Sequence, residues 1–140
     1  MEPHRASLIV LVAQEETVVG LALEDALTEA GYTVAGVFAT SSAALEWLEN
    51  RRADAAILDF SLHDGPSVDL LGELKSRGVP ILLYSAFNKL PDEFRELPHI
   101  MKPGTFDQIV NALDKLLLGA DSASSGSSQR ALREVSNRTP

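Results

Sequence analysis

The chain has no cysteine, which excludes disulfides, thiol chemistry and cysteine-based zinc sites. No apolar run approaches the length of a membrane span, and no secretory signal is visible. Met1-Glu2-Pro3-His4-Arg5 leads straight into a strand-length apolar stretch, so a cytoplasmic protein without membrane contact is expected. Basic residues are scarce: 12 Lys and Arg stand against 20 Asp and Glu, a formal charge of −8. A protein that grips nucleic acid through its phosphates needs a basic face, so this balance argues against nucleic-acid binding. Repeats are also missing. At 140 residues the chain has room for one domain with one core, plus a tail. The 45% hydrophobic and 23% charged content are ordinary for a globular protein.

Apolar runs alternate with stretches of helical spacing. Ser7 to Ala13, Thr33 to Phe38, Ala55 to Asp59, Pro80 to Tyr84 and His99 to Met101 read as strands, short and rich in β-branched or aromatic residues. Between the first two, Val19, Leu23, Ala26, Leu27 and Ala30 recur at helical spacing, and Gly31 is a stop. Thr40-Ser41-Ser42 offers an N-cap to a helix burying Ala44, Leu45 and Leu48. After the turn cluster His63-Asp64-Gly65-Pro66, Ser67 is expected to cap a helix with Leu70, Leu71 and Leu74 inward and Gly78 as its stop. Thr105-x-x-Gln108 is a capping-box signature opening a last helix that buries Ile109, Leu113, Leu116 and Leu117. From Ala86 to Pro98 the pattern is poor, leaving room for a short helix after Pro91 of about two turns at most, against a usual length of about three. Beyond Leu118 the chain turns Ser-rich, from Asp121 to Ser128, then mildly basic. A domain over residues 1–118 and a flexible tail over 119–140 are expected.

Alternating strands and helices with short connections imply parallel pairing through right-handed crossovers. The expected architecture is an α/β, flavodoxin-like three-layer sandwich. Its five parallel strands take the order 2-1-3-4-5, and its fourth helix is reduced. At the carboxyl edge of such a sheet the strand ends meet: Gln14-Glu15-Glu16 after the first, Asp59 after the third, Ser85 after the fourth and Lys102-Pro103 after the fifth. Each alone has a plain explanation, such as a loop acid, a helix-terminus charge, a turn hydroxyl or a surface corner. Their co-occurrence in this order points to one site.

Over about Ser7 to Leu118 the chain resembles response-regulator receiver domains of two-component signalling, on Glu15, Leu58-Asp59-Phe60, Ser85-Ala86 and Lys102-Pro103. The resemblance implies that Asp59 accepts a phosphoryl group from a histidine kinase or phosphotransfer protein. It further implies Mg2+ held by Glu15, Asp59 and the Ser61 backbone carbonyl, with Gln14 as a weak or water-mediated ligand. Lys102 would neutralise a phosphoryl oxygen. Ser85 would donate a hydrogen bond to the phosphoryl group, small Ala86 would leave a path to it, and His99 would stand at the aromatic switch position. Hard oxygen ligands suit Mg2+, which offsets the repulsion between a carboxylate and an anionic phosphoryl group.

Three departures stand out. The family usually has two adjacent acids after the first strand, where this chain has Gln14-Glu15, with Glu16 as a further candidate. The Pro usual four residues after the acceptor is His63, which reads most simply as an exposed loop residue. The short segment between Ser85 and Lys102 resembles single-domain receivers paired with HWE-type sensor kinases, whose Pro-Phe-x-Phe-Ala-Thr-Gly motif is matched only in outline by Pro80 to Phe87. Signalling would then run through protein contact or phosphorelay to an unknown downstream protein, and the protein would not be an enzyme. One alternative is a degenerate receiver that binds partners without phosphorylation. A remote one is a haloacid-dehalogenase-like phosphohydrolase, which wants a second Asp where this chain has Ser61. Leu83, Phe87 and Leu90 are a candidate contact patch.

Overall fold

The computed structural model describes residues 7–86 and 89–119. Its elements run β1 (Ile9–Ala13), α1 (Thr17–Glu29), β2 (Thr33–Phe38), α2 (Ser41–Leu48), β3 (Ala55–Leu58), β4 (Ser61–Leu62), β5 (Gly65–Pro66), α3 (Val68–Ser76), β6 (Ile81–Ser85), α4 (Asp92–Arg95), β7 (His99–Met101) and α5 (Phe106–Leu118). The main sheet is parallel throughout, in the order β2-β1-β3-β6-β7. This is the expected order 2-1-3-4-5, because β4 and β5 form a separate two-residue antiparallel hairpin within the turn cluster. The tail beyond Gly119 and Phe87 of the candidate patch lie outside the described residues.

Strands buried on both faces read as unbroken apolar runs, which is why β3 and β6 are apolar almost to the last residue. Side chains alternate across the sheet and divide the core in two. Leu11, Ala56, Leu58 and Leu83 pack with Ala44 and Leu48 of α2, Leu70 and Leu74 of α3 and Phe94 of α4. Val10, Val12, Ile57, Leu82 and Tyr84 face Leu23 and Leu27 of α1 and Ile109 and Leu113 of α5. Leu116 and Leu117, expected to be buried, are only partly covered where they pack against this second cluster. Gly20 fixes the approach of α1 to the sheet: a Cβ there would lie 2.3 Å from Cγ1 of Val37.

The helix ends follow the local chemistry in two cases and depart from it in one. Thr40 accepts from the N–H of Ala43 at 3.1 Å, and Thr105 with Gln108 completes the capping box. Ser67 precedes α3 but its side chain does not cap it. Its buried hydroxyl turns back and donates to the carbonyls of Asp59 at 2.7 Å and Phe60 at 2.9 Å. The hydroxyl thus ties the Asp59 carbonyl where β3 ends and reinforces the bond that the Phe60 carbonyl accepts from the Ser67 N–H at 2.8 Å. Leu83 and Leu90 are core residues, so they do not form the exposed patch expected of them.

α4 is a single turn, shorter than the space the sequence allows. So short a helix has no stability of its own. It is pinned by Phe94, which is fully buried and meets the ring of Phe60 edge-on, with centroids 4.9 Å apart. The residue after Asp59 therefore touches the one anchored residue of the reduced helix.

Candidate functional site

Asp59 follows β3 at the point where the strand order reverses, the position at which open α/β sheets bind ligands. Its N–H donates to the carbonyl of Ala13 at 2.9 Å, which locks the ends of β1 and β3 together. Only 4% of the residue is exposed. Its Oδ2 accepts from Nζ of Lys102 at 2.9 Å and from the N–H of Glu15 at 3.3 Å. Oδ1 receives no hydrogen bond among the described residues. The carboxylate is thus held by one oxygen and presents the other.

Lys102 comes from the turn after β7, at the edge of the sheet, and its side chain is 14% exposed. Its N–H donates to the carbonyl of Ser85 at 3.0 Å, and its ammonium stands 5.4 Å from the ring centroid of Tyr84. Ser85, the last residue of β6, is fully buried. A ring nitrogen of His99, Nε2, lies 3.3 Å from the same Ser85 carbonyl, so the half-buried imidazole rests against the end of β6. Ala86 is exposed at the mouth of the site.

The acidic turn behaves unequally. Glu15 and Glu16 have exposed side chains, and only the backbone of Glu15 reaches Asp59. Gln14 is fully buried; its Nε2 donates to the carbonyl of Tyr84 at 3.5 Å, and its Oε1 has no partner among the described residues. Ser61 opens the β4–β5 hairpin beside Asp59. His63 is exposed, with its N–H bound to the carbonyl of Ala39, in keeping with an ordinary loop residue.

Three contributors were not anticipated from sequence. Tyr84 combines a ring beneath Lys102 with a hydroxyl bonded to Gly104. Ser67 ties the backbone at Asp59 and Phe60. Asp64 reaches α2 and accepts from the N–H groups of Ser41 at 2.9 Å and Ser42 at 3.0 Å. The backbone N–H of Ser41, then that of Ser42, holds its carboxyl below the usual carboxylate range. The Asp-Gly turn was a visible signal for Asp64, but its partner 23 residues earlier was not.

Among the described residues no group of three His, Cys, Asp or Glu side chains surrounds a metal position. Mg2+ commonly uses one or two carboxylates and completes its shell with carbonyls and water. Asp59 with its open oxygen, Glu15 at the same rim, the Ser61 carbonyl and the orphaned Gln14 Oε1 are hard oxygen donors of that kind. The residues present fit the ion.

This α/β sandwich, with an aspartate at its switch point paired to a lysine from the far edge strand, shares its fold with solved CheY-like receiver domains. The chain belongs to the response regulator receiver domain family, which matches residues 10–114, and receiver domains are in general signalling modules of two-component systems. It is 31% identical over 117 residues to the probable transcriptional regulatory protein TcrX of Mycobacterium tuberculosis, covering 77% of this chain and 49% of that one. It is 25% identical over 111 residues to the transcriptional regulatory protein PdtaR of the same organism, covering 75% and 54%. The chain spans about half the length of the curated relatives it matches. Among solved structures, SdrG from Sphingomonas melonis Fr1 superposes with a TM-score of 0.70 at 31% identity, over 80% of this chain and 98% of that one. TrrA from Thermotoga maritima, solved with Mg2+ and a beryllium fluoride, shares the fold at a TM-score of 0.70 and 23% identity, over 79% of this chain and 99% of that one. No described helix is long and apolar enough to cross a membrane.

Proposed function

We propose that this protein accepts a phosphoryl group on Asp59 from a histidine kinase or phosphotransfer protein, and signals by protein contact or by passing the group on. The observation that carries this reading is the 2.9 Å pair between Lys102 Nζ and Asp59 Oδ2 in a site where Asp59 is almost fully buried. In the transfer, the open Asp59 oxygen forms a bond to phosphorus while the bond from phosphorus to the donor's nitrogen or oxygen breaks. The leaving group keeps the bonding pair. Lys102 would stabilise charge on the phosphoryl oxygens, and the burial of its ammonium strengthens that interaction. The Ser85 hydroxyl would donate to a phosphoryl oxygen, and small, exposed Ala86 would leave a path to it. Bound Mg2+ would supply Lewis-acid neutralisation of phosphoryl charge, held by Glu15, Asp59 and the Ser61 carbonyl, with Gln14 as a weak or water-mediated ligand. The new dianionic group, about −1.5 to −2 in charge, would then act on the neighbouring Ser85, His99 and α4 segment.

Beryllofluoride tests the reading without chemistry, because it mimics a phosphoryl group on a carboxylate. With Mg2+ it is expected to shift the amide resonances around Asp59, Ser85 and His99, and to do so neither alone nor in Asp59→Asn. Amide spectra unmoved by the two together would contradict the proposal.

Gln14 favours a second reading, in which the domain binds a partner constitutively. A buried amide in place of a carboxylate removes one charge from the metal's surroundings. At an effective dielectric of 20, a charge about 4 Å away is worth up to about 4 kcal/mol, which water reduces. Gln14→Asp is therefore expected to tighten Mg2+ binding by about tenfold, measured by calorimetric titration, while lowering stability without metal because a buried charge is left unpaired. An unchanged Mg2+ affinity would show that Glu16 already supplies the charge or that a water already supplies the missing ligand.

A further inference from the structure

Tyr84 meets three parts of the site at once. Its hydroxyl accepts from the N–H of Gly104 at 3.1 Å and lies 3.3 Å from that residue's carbonyl, to which it donates. Its ring lies under the Lys102 ammonium, 5.4 Å from centroid to Nζ. Its own carbonyl receives the Gln14 amide. The side chain is 4% exposed, so these contacts form away from bulk water, where both hydrogen bonds and a cation over a ring are worth most. Gly104 is two residues after Lys102, in the turn between β7 and α5. There is little slack in that turn, since a Cβ on Gly104 would meet Ile100 at 2.7 Å and the Tyr84 ring at 3.4 Å.

We infer that Tyr84 is a positioning residue for Lys102: its hydroxyl clamps the turn that carries the lysine, and its ring supports the ammonium that pairs with Asp59. The ammonium has a single carboxylate partner, Asp59, among the described residues. Gln14, which stands on the other side of that carboxylate's strand, brings no charge. The ring's negative face therefore supplies the second attraction that keeps the lysine in place when no phosphoryl group is bound. Serine and lysine contact the group transferred; Tyr84 acts only through Lys102. The inference rests on the phosphoryl-acceptor reading for its consequence, but its geometry does not.

Two variants separate hydroxyl from ring. Tyr84→Phe keeps the ring and removes the clamp; Tyr84→Leu removes both. The first readout is the Lys102 side-chain ammonium signal in nitrogen-edited NMR, assigned by its loss in Lys102→Arg. The second is the rate of phosphoryl uptake from acetyl phosphate with Mg2+. In Tyr84→Phe the Lys102 signal is expected to shift and exchange faster with water, and uptake to slow about three- to tenfold, the worth of one hydrogen bond. Tyr84→Leu is expected to slow uptake by about a further three- to tenfold through loss of the ring. If Tyr84→Leu does not fold, Tyr84→Phe decides alone. A Lys102 signal identical to that of the unsubstituted protein in the folded variants would overturn the inference, whatever happens to the uptake rate. A Lys102 signal that responds in a protein that takes up no phosphoryl group would uphold Tyr84 as the lysine's support and reject the acceptor reading instead.

Discussion

Asp59→Asn is expected to abolish phosphoryl uptake while leaving the fold standing. The substitution is nearly isosteric, and an amide carbonyl can still accept from Lys102 and from the Glu15 N–H, which now meet Oδ2. What disappears is the nucleophile: an amide oxygen has no negative charge to drive attack and forms no stable anhydride with phosphorus. Glu15 and Glu16 are not expected to stand in for it, because both are exposed and neither is paired to a lysine among the described residues. The variant also leaves the Lys102 ammonium without its counter-charge. Breaking a buried pair costs about 3–5 kcal/mol, but the lysine side chain is 14% exposed and can turn toward water, so a loss of about 1–2 kcal/mol is expected. Uptake in Asp59→Asn at the rate of the unsubstituted protein would remove Asp59 from the acceptor role.

The second large effect concerns stability. Phe94→Ala is expected to cost about 3–5 kcal/mol, the usual range for emptying a fully buried phenylalanine site. Phe94 is the sole buried residue of the one-turn α4, and it holds that turn against Phe60 and the core formed with α2 and α3. A four-residue helix does not persist by itself, so the turn Asp92–Arg95 would lose its anchor as well as its contact area, leaving Leu90 to hold the segment before it. The measurement is urea unfolding, in which the midpoint should fall while the slope changes little. A loss below about 1 kcal/mol would show that the segment collapses onto the vacated space and that α4 is not a separate anchored element. The link from Asp59 through Phe60 to Phe94 gives this result a bearing on signalling. A change at the carboxylate has one packed step to travel before it reaches the reduced helix.

The fold was legible because a parallel sheet leaves a direct trace. β1, β3 and β6 are buried on both sides, so they appear as apolar runs, and the reactive residue that ends each run marks the same edge of the sheet. The meeting of Glu15, Asp59, Ser85 and Lys102 follows from strand order and needs no knowledge of side-chain contacts. What escaped depends on partners that no periodicity reveals. The Tyr84 hydroxyl finds Gly104 20 residues away, and an aromatic at the end of an aliphatic strand looks like core. Ser67 had two outlets for its hydroxyl, a helix start and the carbonyls at the end of β3, and the sequence shows only the first. Leu83 and Leu90 read, with Phe87, as a contact patch because they lie near the short loop, yet Leu83 is inside β6 between two strands and Leu90 packs into the same core as Phe94. The β4–β5 hairpin has two residues per strand, below any span in which alternation can be seen.

The most direct measurement is intact-mass analysis after incubation with acetyl phosphate, with and without Mg2+, followed by peptide mapping. The account predicts a single added phosphoryl group that requires Mg2+ and maps to the peptide holding Asp59. An unmodified mass under both conditions, or a group mapped to any other residue, would contradict it.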